Sequence, residues 1–556
     1  MFTHHLKIAF RNMWKYKTQS LTGIFGLAFG LACFVPALYW LRYETSYDSS
    51  YPDAAFIYRI YSVEKESGKV NEQVPGILEK KLHEHFPALE ASTVFIKAQE
   101  NCKTEETPYF RLSLLYADSA FFNVFPQVII SGNARQPLHV LNSIVLTETV
   151  AKRLFGDVEK AIGQQVQNTI RLDTPPYMVT AVVKDPPPNT NVSFDAIIFH
   201  NMLKYFTELP EDVQWTQSFM ELYVRFHPRA DIDEHAEQLH DFTSRLDTNA
   251  NIELRMLPVS DVRHKLNTDV PFTLNFIRLF VAAGILLLFS ALFNFLNLHL
   301  GFFRQRTREL RQRMVHGATN RQLIVQMTFE LAGSLIISLI LACSIIVLTR
   351  PVFSGLLDIT IDILPLVHLF VICGTGTLTL ILYVGLIPLW RLNRLIMRHL
   401  SKRKIIGQPA LRRMAVTLQL AVSVVFIVAA LMVMMQMRFI NRKDLGFDHS
   451  GIIQLSGFQD YSGKIQTALM RELSAIPQVE NITDAYFEPQ HKTNHLTMVV
   501  EVDWPGKQTF ENPSFHFIPT DSRFAETFRL NWLTGKWWDE GEQNRSQRGG
   551  RSCNGT

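Results

Sequence analysis

The residues best suited to bind something stand together in residues 303–330, FRQRTRELRQRMVHGATNRQLIVQMTFE. Arg304, Arg306, Arg308, Arg311, Arg313 and Arg321 face a single acid, Glu309, before Glu330 closes the stretch. Guanidinium groups grip carboxylates and phosphates through forked N–H donors. Such a density of arginine therefore reads as a surface for anionic lipid or for a partner protein. Glu330 is the one acid in an otherwise apolar helix, about 10 Å past the end of the basic segment. A carboxylate at membrane depth is a functional candidate by default. Two readings stand side by side: Glu330 snorkels back to Arg321 or Arg313 with no further role, or it ties its helix to the basic loop so that loop movement turns the helix. Asn294 and Asn297 stand three residues apart in the preceding apolar run, on one helical face. Polar groups in lipid need partners, so that face should meet another helix. Gln419 is a further polar position, in the last apolar run.

Other chemistry is not indicated. No GxxxxGK[ST] motif occurs, and no glycine-rich loop precedes Lys69, Lys464, Lys507 or Lys536. No HExxH occurs either. His235 and His240 are five apart, the wrong spacing for one helical face, and read as solvent-facing. His491 and His495 have helical spacing, but Pro489 and a strand pattern at 497–502 argue against a helix there. Of the five cysteines, Cys33, Cys343 and Cys373 lie in apolar runs, and only Cys102 and Cys553 in polar ones, which is no disulfide or zinc framework. No catalytic residue, cofactor, metal or nucleic-acid partner is expected, and the chain is read as a non-enzyme.

The elements that position these residues follow from hydropathy. The chain has 556 residues, is 47% apolar and contains 40 Phe, concentrated in blocks. Five runs, residues 21–41, 279–300, 323–349, 363–390 and 414–437, are long enough to cross a hydrocarbon core of about 30 Å. Gly23, Gly26 and Gly30 in the first run allow close helix approach. Pro36 should kink its outer end. Residues 1–20 read as an amphipathic helix lying in the membrane interface. Residues 301–322 form a basic loop, and 391–413 a basic linker with eight Lys or Arg and no acid. All three basic segments fall on one side, which the positive-inside rule assigns to the cytoplasm. The N-terminus is then cytoplasmic, with residues 42–271 and 438–556 outside.

Residues 42–271 are polar, mixed and long enough for an α+β domain with its own core. Strands are expected at 58–63, 143–147, 177–183 and 218–226, and helices over 74–89, 148–155 with Gly156 as its stop, and 231–246. A repeat links the two outer segments. Asp118, Ser119, Phe121, Phe125 and Gly132 match Asp521, Ser522, Phe524, Phe528 and Gly535 without gaps, and Tyr47-Asp48 matches Phe447-Asp448. The expected unit is span, outer domain and three spans, with 438–556 a partial second copy. Residues 542–556 hold no apolar residue except Cys553. They read as a truncation that removes three spans, and such a form is expected to be inactive in transport.

Several motifs in this order resemble the MacB/FtsX-type permeases of ABC transporters, in the long duplicated form common in Bacteroidetes. They are Arg11-Asn12, Tyr47-Asp48, Ile57-Tyr-Arg59, Ser143 to Gly156, Asn294-Phe-Leu-Asn-Leu298, Arg308-Glu309 with Arg313, Gly317-Ala318 and Glu330, Leu418-Gln419, and Asp444 to Asp448. The family's Arg-Lys-x-x-Gly-Ala reads Gln312-Arg313-Met-Val-His-Gly317-Ala318 here. The resemblance implies an α-helical membrane protein with a MacB-like periplasmic domain between helices 1 and 2. It further implies an inner-membrane permease subunit whose basic loop, with Arg304 to Arg321 and Gly317, docks a separate cytoplasmic ATPase. Its other implied partners are membrane lipid, a dimeric or pseudo-dimeric permease half and a periplasmic adaptor. The alternative is an FtsX-like scaffold that regulates a periplasmic partner without transporting anything.

Overall fold

A computed structural model describes residues 11–537 except 66–67, 106, 108–109, 139, 169–174, 201–214, 216–217, 246–251, 267–271, 358, 399–408, 444–445, 449–450, 456–463, 486–519, 532–533 and 535–536. Five helices among these are long and apolar enough to cross a membrane. Helix α1 is Lys17–Thr45. It starts after a break at Tyr16, so the end of the expected interfacial helix is absorbed into the span. It runs through Pro36 without interruption. Half of its apolar window is buried, because it packs against the later spans α6 (Leu274–Gln305), α8 (Asn320–Leu357) and α9 (Ile363–Arg398). The expected close approach is present. A Cβ on Gly30 would stand 2.9 Å from Ala291 Cβ, and one on Gly23 3.4 Å from Phe295 Cδ2. The fifth span, α10 (Pro409–Arg442), has no buried residue in its apolar window. The basic linker at 391–413 is helical at both ends, because α9 continues to Arg398 and α10 begins at Pro409.

Between α1 and α6 the chain builds a mixed sheet. Along its main path the strands are β1 (Ile57–Glu64), β2 (Leu89–Lys103), β3 (Phe110–Ala117), β4 (Ile129–Gly132), β5 (Ser143–Thr147), β6 (Tyr177–Val183), β7 (Ala196–Phe199), β8 (Ser218–Phe226) and β9 (Ile252–Pro258). Their order is β9-β1-β8-β2-β3-β7-β5-β6-β4. Pairs β3/β7 and β5/β6 are parallel, the other assigned pairs antiparallel. The four expected strands are all present. The helix expected over 74–89 is confined to α2 (Leu78–His85). Val74 and Pro75 instead pair with β8, and Leu89 already begins β2. Helix α3 (Glu148–Phe155) stops at Gly156, whose φ of 76° is the left-handed cap conformation. Helix α4 (Ile232–His240) begins with the Asp231 carboxylate accepting from Glu234 N and breaks at Asp241. His235 is not solvent-facing. Its ring stacks on Phe226 at 5.5 Å, while His240 is exposed.

The repeat motif sits in the domain core. Phe121 and Phe125 are fully buried against Phe95, Tyr51 and Tyr223. The Asp118 carboxylate accepts from Thr93 Oγ1 (2.9 Å) and Ala120 N (3.1 Å), which caps the short helical turn that carries both rings. Within the chain's second compact unit, the Asp521 carboxylate accepts from Thr483 Oγ1 (2.5 Å) and Arg523 N (3.1 Å), and the Phe524 and Phe528 rings stand 4.6 Å apart. The matched residues thus make matched bonds. His491, His495 and residues 542–556 lie outside the described residues.

Burial and the charge of buried Glu79 push the Asp118 carboxyl up to about 7, against hydrogen bonds from Thr93, Ala120 and Phe121. The unfolded chain releases this proton above about pH 4, whereas the folded chain keeps it to about pH 7. The folded state binds more protons in that window, so stability falls as pH rises through it. Asp118→Asn is expected to flatten this slope by about 1–3 kcal/mol, leaving the part that Glu79, itself raised by burial, contributes. Denaturant unfolding at about pH 5 and about pH 7.5, wild type beside variant, measures it.

Candidate functional site

The basic segment is not an open loop. Helix α6 continues to Gln305, the chain breaks at Arg306 (φ −89°, ψ 6°), and a new helix, α7 (Thr307–Val315), follows. Its Arg, Glu, Leu, Gln and Met residues are good helix formers. Arg306, Glu309 and Arg313 pair at three- and four-residue spacing. Helix α7 ends in a Schellman turn. Gly317, at φ 94°, donates to Met314 O (3.0 Å), and Ala318 N donates to Arg313 O (3.0 Å). Gly317 therefore ends the helix and lets the chain turn back. The next helix begins at once with a reciprocal cap. Thr319 N donates to Gln322 Oε1 (2.9 Å) and Gln322 N to Thr319 Oγ1 (3.4 Å).

This helix, break and turn fold the chain back so that Arg306 reaches Glu330. The Arg306 and Glu330 residues are 3% and 4% exposed. Arg306 Nη1 donates to Glu330 Oε2 at 2.8 Å. Its Nε and Nη2 donate to the two Glu309 oxygens at 3.1 and 3.2 Å. Arg313 Nη2 donates to Glu309 Oε1 (2.7 Å) and its Nη1 to Gln326 Oε1 (2.8 Å), while Gln326 Nε2 donates to Glu330 Oε1 (3.0 Å). Asn12 Nδ2 donates to the same oxygen at 2.6 Å. Three elements thus meet on one carboxylate: the segment before α1, the basic segment and α8. Burial alone would lower the Arg306 pKa, but bonds and charges from Glu309 and Glu330 raise it above the ordinary value. The Arg306 hydrogen bond, aided by the charges of Arg306 and Arg313, lowers that of Glu309. The guanidinium is fixed as a cation facing two carboxylates, which is a structural clamp.

Glu330 therefore bonds directly to Arg306, not to the expected Arg321 or Arg313. Arg313 acts through Gln326, and Arg321 is exposed in the first turn of α8. The backbones of α6 and α7 carry Arg304, Arg308 and Arg311, whose side chains lie outside the described residues. Asn294 faces α1, its Nδ2 standing 3.9 Å from where a Cβ on Gly26 would lie. Asn297 Nδ2 is buried without a hydrogen-bond partner. Gln419 is half-buried on α10, and its carbonyl accepts from Ser423. Sequence reasoning did not assign Asn12 or Gln326 to this site. Gln326 had a signal, since it stands four residues before Glu330 on the same face. Beside Glu330 lies a cavity of ≈ 20 Å³, bordered by Gln19, His299 and Ser334, with room for about one water. Among the described residues no group of three or more His, Cys, Asp or Glu could hold a metal.

The sequence model of the MacB-like periplasmic core domain matches residues 20–242, from α1 through strands β1 to β8 to just past α4, short of edge strand β9. Residues 20–242 thus resemble a MacB-like periplasmic core domain. Solved structures align with it at low identity. One is a domain described as part of a permease protein from Porphyromonas gingivalis, 18% identical, covering 38% of this chain and 93% of its own, with a TM-score of 0.33. The periplasmic region of MacB from Actinobacillus actinomycetemcomitans is 12% identical, covering 38% and 92%, with a TM-score of 0.28. The extracellular domain of the noncanonic ABC-type transporter YknZ from Gram-positive bacteria is 11% identical, covering 36% and 98%, with a TM-score of 0.26. No curated protein matches the chain. The assignment rests on the family match. It places the buried clamp outside the MacB-like domain, at the far end of the α1, α6 and α8 bundle.

Proposed function

We propose that this chain is the permease subunit of an ABC transporter of the mechanotransmission type. A separate cytoplasmic ATPase docks on the basic segment at 301–322, and its motion passes through the spans to the MacB-like domain, which acts on a substrate during efflux or extraction. The observation that carries this reading is one of placement. A MacB-like periplasmic core domain is inserted between the first two spans, and the Arg-rich α7 is held at the opposite end by the Arg306–Glu330 clamp. The absence of a P-loop in the sequence fits energy entering from another chain. In this reading the N-terminus and both basic segments are cytoplasmic, in the inner membrane. Residues 438–556 are part of a second outer domain, which the Thr483–Asp521 bond pattern supports.

Docking predicts a charge effect. Reversing Arg308, Arg311 and Arg321 to Glu is expected to weaken association with the partner ATPase by about tenfold or more, because charged contacts set the rate and register of such interfaces. Co-purification and titration of the full chain in nanodiscs measure this. Unchanged affinity would remove the docking assignment.

A further inference from the structure

Helix α1 is clamped at its other end as well. Glu44, in its last turn, is 3% exposed. Arg263 Nε donates to Glu44 Oε2 at 3.0 Å and its Nη2 to Oε1 at 3.3 Å, a two-pronged pair. The guanidinium lies 4.2 Å from the Tyr47 ring centroid, and His264 Nε2 is 3.1 Å from Glu44 O. Arg263 belongs to α5 (Val259–Lys265), which directly follows edge strand β9 and precedes α6. Just beyond α1, fully buried Asp48 accepts from Thr190 Oγ1 (2.5 Å) and Asn191 N (3.0 Å). The chain therefore spends a buried fork, a stacked ring and a buried carboxylate on one short stretch. A plain domain boundary needs far less, since interfaces between parts of one chain are by default more polar and mobile.

We propose that the Glu44–Arg263 pair is the joint through which α1 passes its motion to the MacB-like domain, acting as a positioning pair. It rests on the reading above that motion enters at the Arg306–Glu330 clamp. Asn12, on the helical turn that precedes the break at Tyr16 and leads into α1, reaches that clamp, and Glu44 connects the outer end of α1 to β9 through α5. Between them α1 is a continuous helix of 29 residues packed closely on α6 at Gly30. A rod gripped at both ends by directional bonds transmits tilt, whereas one held only by apolar contacts can slip. Two parallel bonds also fix the angle between α1 and α5, which a single bond would not.

The test uses the full chain in nanodiscs without any ATPase, so it stands apart from the docking experiment. Hydrogen exchange is followed at 252–265 while the inner clamp is weakened by Arg306→Gln. In the wild-type background exchange there is expected to rise about threefold or more, the scale of coupling between linked sites. In a Glu44→Gln background Arg306→Gln is expected to add nothing. The swap of Glu44→Arg with Arg263→Glu should restore the response, and Arg263→Lys should restore only part of it, since lysine lacks the fork. A pair that merely stabilises the fold would raise exchange on its own and leave the response to Arg306→Gln intact. An equal response with and without Glu44, or none in the wild-type background, overturns the proposal.

Discussion

Arg306→Ala is expected to destabilise the spanning bundle by about 3–5 kcal/mol, because it leaves the Glu330 carboxylate buried without its cation. Glu330 is 4% exposed, and the amides of Asn12 and Gln326 cannot supply the missing charge. Removing both charges should cost much less than removing one. Arg306→Met with Glu330→Gln is expected to recover more than half of the loss, as buried pairs commonly do when replaced together. Arg321→Ala, on an exposed residue of the same segment, is expected to stay within about 0.5 kcal/mol of wild type. Thermal denaturation of the chain in detergent, read by the loss of its monodisperse gel-filtration peak, separates the three. An Arg306→Ala variant as stable as Arg321→Ala would mean that the buried pair does not hold the segment to α8.

Gly132→Ala is expected to cost the MacB-like domain about 3–5 kcal/mol, from left-handed strain and overpacking combined. Gly132 sits at φ 96°, and a Cβ there would lie 2.4 Å from Thr180 O and 2.7 Å from Ala181 Cα. These are backbone atoms of β6, which cannot step aside without breaking the β4/β6 ladder. Gly156 provides the comparison. Its φ of 76° is also positive, but nothing lies within 4 Å of where a Cβ would be. Gly156→Ala should therefore cost only about 1–2 kcal/mol, the strain alone. Equal losses at the two positions would contradict the close approach. This also explains physically why glycine closes the repeat motif: the strand after the Phe121 turn must lie flush against its neighbour.

The contrast between what was legible and what was not follows chain distance. The spans were readable because each is a continuous apolar run, and four strands because local apolar patterns and turn residues marked them. Strand β2 was not readable. Its middle, 91–95, is buried on both faces, while its end carries Gln99, Glu100 and Asn101, so no alternation marks it. Helix α7 was hidden by its charge, since its helix formers have little apolar periodicity to show. The Arg306–Glu330 bond joins residues 24 apart and depends on the break at Arg306. The Asn12–Glu330 bond joins residues 318 apart. Sequence could nominate Glu330 as an acid that needed a partner, but only the fold could select Arg306 and Asn12 from many candidates.

The central claim is that motion enters at the Arg306–Glu330 clamp and leaves through the MacB-like domain. The most direct measurement is the distance between a spin label on exposed Arg321 and one on exposed His83, in the full chain bound to the ATPase proposed above, with and without trapped nucleotide. The distance distribution is expected to shift on nucleotide trapping in wild type. In Arg306→Gln it should stay fixed while the ATPase remains bound. A shift of the same size in Arg306→Gln, or no shift in a wild-type complex that hydrolyses ATP, would contradict the account.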